Sequence, residues 1–464
     1  MRREYLLAGA LCVGLAAATA ARFVLAPAAL VGAVGLVRPR LVVACALLLA
    51  GWWVGSERLR TLDRTALAAH LGTSATALVD VAEPPHVGRW SVRARASVVR
   101  WAEARLNEAV LLELPGVRAP PQGARLRVEG TLRAPRAFER RWLRRHGVHV
   151  VLHASAWQRL PHRAGLADGL HAWLARASTP GLRGERRAVV EGVVLGEDQG
   201  LSQTLRQRFR ASGLYHLLAV SGGNVVVVAG GTVAIALLLG VSRLLAEALA
   251  LVSIGAYVLA VGAQPSVVRA GVAGALASLA WLSGRERDRW YALLVGAIVL
   301  LALNPYNALD PGFQLSFAAV ISIFVLAPRF ARVLDGYPLP RWLAQAVAIS
   351  AACGLATAPI SWFHFHAIPL LTVPANAAAA PAVVPILGLA LLSAVLPPLG
   401  PLLAWADGWC AAYLAGCARL FGGLPGAQVR SAAGAAALAA VALLAAAYAS
   451  RRAERPAPGL SPHW

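Results

Sequence analysis

The apolar positions of this chain fall into two patterns. From about 61 to 163 they alternate with polar ones, as in Val92-Arg93-Ala94-Arg95-Ala96-Ser97-Val98 and Leu126-Arg127-Val128-Glu129-Gly130-Thr131-Leu132. With the runs near 75–82, 106–114 and 147–157, this predicts about five short strands separated by Pro and Gly turns. Five strands on this scale suit a small barrel of OB type, with a sandwich fragment as the alternative. Outside that region the apolar residues gather into long runs. They recur at about 225–240, 244–262, 266–283, 290–303, 313–327, 342–357, 370–396, 398–420 and 432–449. These predict membrane helices, and Pro374, Pro381 and Pro385, then Pro397, Pro398 and Pro401, predict broken ones.

The N-terminus carries Arg2 and Arg3 before an apolar stretch and an Ala-Thr-Ala that imitates a leader cleavage site. Two more apolar runs follow at 23–37 and 41–55, which favours two or three retained helices over a removed leader. Arg38 and Arg40 on the same side as Arg2 and Arg3 would put the N-terminus inside, Trp52 and Trp53 at the outer interface, and the β region outside. The expected architecture is an α-helical polytopic membrane protein of about 10–12 segments, some broken or re-entrant, with an inserted OB-like extracytoplasmic barrel. Its expected parts are membrane helices at 1–55, the β domain at 56–165, amphipathic helices at 166–210, a helical membrane domain at 211–450 and a disordered basic tail at 451–464.

Composition sharpens this picture. The 464 residues are 58% hydrophobic, which with the long runs excludes a soluble globular fold. The net charge is +22 and every basic residue is Arg, a choice that GC-rich coding explains better than mechanism. Anionic lipid, nucleic acid or cytoplasmic loops could each use that charge. The five cysteines (Cys12, Cys45, Cys353, Cys410 and Cys417) lie in apolar segments without metal-ligand spacing and read as small core residues.

Several polar groups interrupt the apolar runs. Ser221-Gly222-Gly223-Asn224 combines two glycines, each costing about 1 kcal/mol of helix propensity, with residues of the helix-capping type. It reads as a broken helix whose N-terminus attracts an anion, or as a Gly-rich packing contact. Gln264-Pro265-Ser266 opens a helix with Arg269 one turn inside, either functional or snorkelling to the interface. Asn304-Pro305 closes one helix, and Asp310 caps another in which Gln314 and Ser316 are glue or cavity lining. His364 and His366 invite a zinc reading, but the sequence offers no third ligand. Ser221 with His216 lacks a group to orient a base, so no metal, cofactor or catalytic site is assigned and the chain is not read as an enzyme.

In the β region the basic excess gathers at Arg133, Arg136, Arg140, Arg141, Arg144 and Arg145, interleaved with Phe138 and Trp142 and joined by Arg93, Arg95 and Arg127 on the strands. Cations for phosphates beside rings for bases are what a single-stranded nucleic acid site requires. An Arg-rich helix on a barrel is also often a solvated face.

Four ordered blocks carry a family resemblance. Glu191-Gly192-Val193-Val194-Leu195-Gly196-Glu197, leading through Phe209-Arg210-Ala211-Ser212-Gly213-Leu214-Tyr215-His216-Leu217-Leu218-Ala219-Val220-Ser221-Gly222, closely resembles the competence-domain signature of ComEC, the inner-membrane DNA uptake channel of transformable bacteria. Pro265-Ser266-Val267-Val268-Arg269-Ala270, then Asn304-Pro305 with Gly312-Phe313-Gln314-Leu315-Ser316-Phe317, then Phe363 to Pro374 with Asn376, look like the family's further blocks. Phe138 to Val148 is similar to its OB-domain pattern, so some of those arginines belong to a structural pattern.

The resemblance implies single-stranded DNA passage across the inner membrane, a DNA receptor, a cytoplasmic ATP-driven motor and a separate nuclease, because the metallo-β-lactamase-like domain of longer members is not found here. Ser-Gly-Gly-Asn replaces the common Ser-Gly-Leu-His, so no His role passes to Asn224. On this reading Ser221, Gly222, Gly223, Asn224, Ser266, Arg269, Asn304, Gln314, Ser316 and Asn376 are candidates for the DNA path, with lipid around the helices. The alternative is a secondary transporter of a small or lipid-linked anion, which would use the same broken helices. Oligomeric state is not legible.

Overall fold

The computed structural model describes residues 3–19, 39–88, 90–116, 119–162, 165–262, 265–282, 288–438 and 440. Arg2, the 23–37 run with Arg38, Gln264, most of the 432–449 run and the 451–464 tail lie outside them. The chain forms two discontinuous compact units, 1–176 with 222–309 and 177–221 with 310–464.

The first unit contains the barrel. Its strands are β1 (Ser74–Val81), β2 (His86–Val87), β3 (Ser91–Trp101), β4 (Ala104–Pro115), β5 (Arg125–Arg133) and β6 (Val151–Leu160). The order β1-β5-β6-β4-β3 closes because β1 also pairs with β3, and the short β2 only extends β3. All pairings are antiparallel except β4 with β6. Five strands in this ring are the OB arrangement expected from the alternation. The alternation also says which face turns inward: Val92, Ala94, Ala96 and Val98 of β3 join Leu112, Leu126, Val128, Leu132 and Leu152 in one core. Each large aliphatic side chain so buried contributes roughly 1.5–3 kcal/mol. At Gly130 the register slips, and a Cβ there would lie 2.4 Å from the His153 carbonyl oxygen, so only glycine permits this strand approach.

One helix, α3 (Ala137–Arg145), fills the connection from β5 to β6. The remaining helices of this unit are α1 (Arg3–Ala17), α2 (Pro39–Asp63), α4 (Leu166–Ala177, its last residue in the second unit), α7 (Gly222–Leu238), α8 (Arg243–Val261), α9 (Pro265–Leu282) and α10 (Arg289–Leu303). The predicted 41–55 run continues as helix to Asp63, because Ser56 to Asp63 is polar but contains good helix formers such as Glu, Leu and Arg. Small residues let α1 and α2 touch: a Cβ on Gly14 would meet the Leu48 carbonyl oxygen.

The second unit holds α5 (Gly184–Leu195), α6 (Gln203–Ser212), α11 (Pro311–Val325), α12 (Ala327–Leu334), α13 (Arg341–Phe365), α14 (Thr372–Val395) and α15 (Gly400–Gly423), with the short pair β7 (Ile368–Pro369) and β8 (Gln428–Val429). Gly213 ends α6 with φ +77, and a Cβ there would lie 2.3 Å from Thr372 Oγ1, which explains a glycine at that point of the signature. The expected break at Pro381 and Pro385 is absent: α14 runs through both. Proline removes one helical hydrogen bond without forcing a break, and Tyr413 of α15 donates to the nearby Ala378 carbonyl at 2.8 Å. A break lies instead between α11 and α12, bent by 47°.

Among the described residues, five helical stretches are long and apolar enough to span a membrane: 42–70, 214–238, 243–261, 341–365 and 372–395. The bent pair makes a sixth, and 4–17, 266–281 and 289–303 are shorter apolar helices. The 398–420 run, which folds as α15 with Asp407 and Arg419, is not among these spans. The fold is thus that of a polytopic helical protein with a small closed barrel.

Candidate nucleic-acid interface

The connection that α3 occupies runs between the fourth and fifth strands of the ring, one of the two loops with which OB folds grip oligonucleotides. Its residues divide sharply by what they touch. Phe138 is 75% exposed and Trp142 57%, four residues apart on one helix face. Trp142 continues onto His146, with ring centroids 4.2 Å apart. Along β5 and α3, Arg127, Arg133, Arg136, Arg140 and Arg141 are exposed, and none has an acidic partner among the described residues.

The other predicted arginines are engaged. Arg93 bridges Glu113 at 2.6 Å and Glu139 at 2.8 Å. Its surroundings tend to lower the pKa by desolvation, but the two carboxylates outweigh this and raise it. Arg95 binds Glu83 at 3.1 Å and the His146 carbonyl at 2.8 Å. Arg144 forms a two-pronged pair with Asp63, Nε to Oδ1 at 2.9 Å, which raises its pKa further. Arg145 donates to the Leu309 carbonyl at 3.3 Å.

Arg144 and Arg145 belong to a polar buckle that ties the barrel to the helix ends. Tyr306 also donates to Asp63, at 3.1 Å, and His149 Nε2 is 2.8 Å from the Leu62 carbonyl. Asn304 donates to the Arg145 carbonyl at 2.9 Å and accepts from the Tyr306 amide at 3.0 Å. A cavity of about 310 Å³ opens beside this buckle, lined by Arg140, Arg144 and His149 together with Asp63.

Within the helices, the first unit brings Gly222 and Arg269 together. Helix α7 starts at Gly222, as the Ser-Gly-Gly-Asn break predicts, and a Cβ on Gly222 would lie 3.6 Å from Arg269 Nη2. Gly296 of α10 makes room on the other side, 3.4 Å from the Arg269 Cγ by the same measure. The N-terminal end of α7 and a half-buried guanidinium therefore share one place. Gly223 lies in the same first turn and Ser266 in the first turn of α9, while Asn224 is buried and donates to Tyr257 at 3.2 Å.

The second unit holds the rest. Gln314 Oε1 lies 2.9 Å from His364 Nε2, linking α11 to α13 through two polar residues of separate sequence blocks. Ser316 is half-buried two residues further along the same helix, Ser221 precedes the unit boundary, and the Asn376 Oδ1 is buried without a partner among the described residues. Asp407 was missed by the sequence reading, although an acid in the middle of an apolar run was itself the signal.

Residues 193–456, more than half of the chain, match the family described as competence protein. The chain belongs to the competence protein family. Among relatives, it is 33% identical to the ComE operon protein 3 of Bacillus subtilis strain 168 over 193 residues, which are 40% of this chain and 24% of that protein. It is 26% identical to the uncharacterized protein YcaI of Escherichia coli K12 over 232 residues, 47% of this chain and 30% of that one. The chain thus covers less than a third of either relative's length. No solved structure matches it. The competence match takes in α6 to α15 and their polar blocks, whereas the barrel and α3 precede it.

Proposed function

We propose that this chain is an inner-membrane channel that passes single-stranded DNA into the cytoplasm during natural transformation, with the barrel outside as the DNA-receiving domain. The observation that carries this reading is α3: rings and unpaired guanidiniums together on an OB binding connection. Phe138 and Trp142 stack bases, and Arg127, Arg133, Arg136, Arg140 and Arg141 neutralise phosphates. Arg93, Arg95, Arg144 and Arg145 hold the platform in shape through their partners.

Inside the helices, the Gly222 end of α7 with Arg269 is a weak phosphate site, and Ser221, Gly223, Asn224, Ser266, Gln314, Ser316 and Asn376 keep the path polar. Weak sites in series let a strand move where one tight site would trap it. Membership of the competence family supports the same reading. A DNA receptor, a nuclease and an ATP-driven motor complete the machinery.

The test is the entry of labelled DNA into the cytoplasm of cells with and without this gene. Loss of internal DNA while surface binding persists is the expected result. Unchanged entry rejects the channel, and uptake of a small or lipid-linked anion, which the Gly222 and Arg269 site would equally suit, becomes the next assay.

A further inference from the structure

Asp407 lies mid-way along α15 with none of its surface exposed, and neither carboxylate oxygen has a hydrogen-bond partner among the described residues. A charged carboxylate left so would cost several kcal/mol. Burial pushes its pKa up to about 8, so the group carries its proton at neutral pH.

The elements packed on α15 are α14, α6, α5 and the turn Pro397–Leu399. Helix α14 and that turn contain no titratable side chain. On α6, Arg206 pairs with Asp198, Arg208 donates to the Gly422 carbonyl and Arg210 lies over Tyr215. On α5, Glu185 pairs with Arg419 and Arg187 with Glu191. Helix α15 itself adds Cys410, Tyr413 and Cys417 to Arg419.

Arg186 is the exception, with no acidic partner among the described residues. Its stem runs against Gly408, the neighbour of Asp407: a Cβ on Gly408 would lie 3.6 Å from Arg186 Cδ and 2.8 Å from Leu182 Cδ2. Its guanidinium rests 4.5 Å from the centre of the Trp409 ring. An acid and a base thus flank Gly408 without meeting, the acid in the core and the base on an aromatic face.

We propose that Asp407 is a proton-binding site, and that release of its proton draws Arg186 off Trp409 into an ion pair, changing the packing of α5 on α15. In that step the carboxyl O–H bond breaks, its electron pair stays on oxygen, and the proton leaves to water. The small Gly408 lets the guanidinium approach. The inference stands apart from the DNA reading, and none of its tests depends on DNA.

The experiment is infrared difference spectroscopy of the purified full chain across a pH titration, on the wild type, D407N and R186Q. The wild type is expected to lose a protonated-carboxyl C=O band with a midpoint of about 8. The band is absent from D407N. R186Q, which removes an exposed cation and leaves the core intact, moves the midpoint upward because the carboxylate loses its waiting partner.

Stability gives a second readout. The folded value lies above the ordinary carboxyl value of 3.8, so stability is fully present below that pH and is lost as pH rises towards about 8. The advantage in unfolding temperature of the wild type over D407N therefore shrinks through this window. A band that persists in D407N, or a stability difference between wild type and D407N that does not shrink as pH rises through the window, overturns the proton site. An unmoved midpoint in R186Q overturns the ion pair, and that variant decides the question even where D407N fails to accumulate.

Discussion

The barrel and helices α7 to α10 use arginine in opposite ways. On the barrel, arginines are numerous, project into water, and differ from one another only in whether a carboxylate or carbonyl stands within reach: Arg93 and Arg144 have one, Arg140 and Arg141 do not. Among the helices, Arg269 is half-buried, and its room is made by glycines of two other helices, Gly222 and Gly296. In water a guanidinium is cheap, so its number says little and its partner decides its role. In an apolar segment it is costly, so its position alone is informative.

Four experiments test that contrast, in falling order of effect. The barrel must exist for its arginines to matter, and Leu152→Ala removes a fully buried core residue. A loss of about 2–5 kcal/mol in unfolding free energy is expected, measured by thermal or denaturant melting. If the loss were only a few tenths, the platform would not depend on this core.

Trp142→Ala is expected to weaken single-stranded DNA binding by about 1–3 kcal/mol with the melting unchanged. A shift in melting with unaltered binding would make the ring structural. Next, Gly222→Leu sets a side chain against Arg269, whereas Gly230 on the same helix has open space around it. Internal DNA is expected to fall about tenfold in the first, equivalent to about 1.4 kcal/mol, and to stay level in Gly230→Leu. Equal effects would mean that helix propensity, not the arginine site, is being measured.

The smallest effect separates two arginines of one domain. Arg141→Gln is expected to reduce the salt dependence of DNA binding by about 0.7 in log–log slope without loss of stability. Arg93→Gln should lower stability by about 1 kcal/mol, because Glu113 and Glu139 lose their cation, and leave the slope unchanged. The same slope change in both would erase the distinction between open and engaged arginines.

What was legible in the sequence was local. Alternation in β3 and β5 placed Val92 and Val128 inside, and Asp310 capped its helix as its position required, accepting from the Phe313 amide at 3.0 Å. The Ser-Gly-Gly-Asn break began a helix at Gly222 because two successive glycines weaken a continuous helix at that point. Prolines misled at α14, where the local penalty of Pro381 and Pro385 was outweighed by packing that keeps the helix whole. The ordered polar blocks were sufficient to indicate the family before any geometry was known.

The sequence by itself thus determined the barrel, the apolar helices and the polar interruptions, since each follows from the repeat of a strand or helix over a few residues. Only the tertiary structure decided which arginines are open, that Gln314 meets His364, that Asn304 belongs to the buckle, and that Asp407 is buried without a partner among the described residues. Those facts depend on groups distant in sequence brought within a few ångströms, and a side chain's charge has its effect only through the dielectric and the partners that folding places around it.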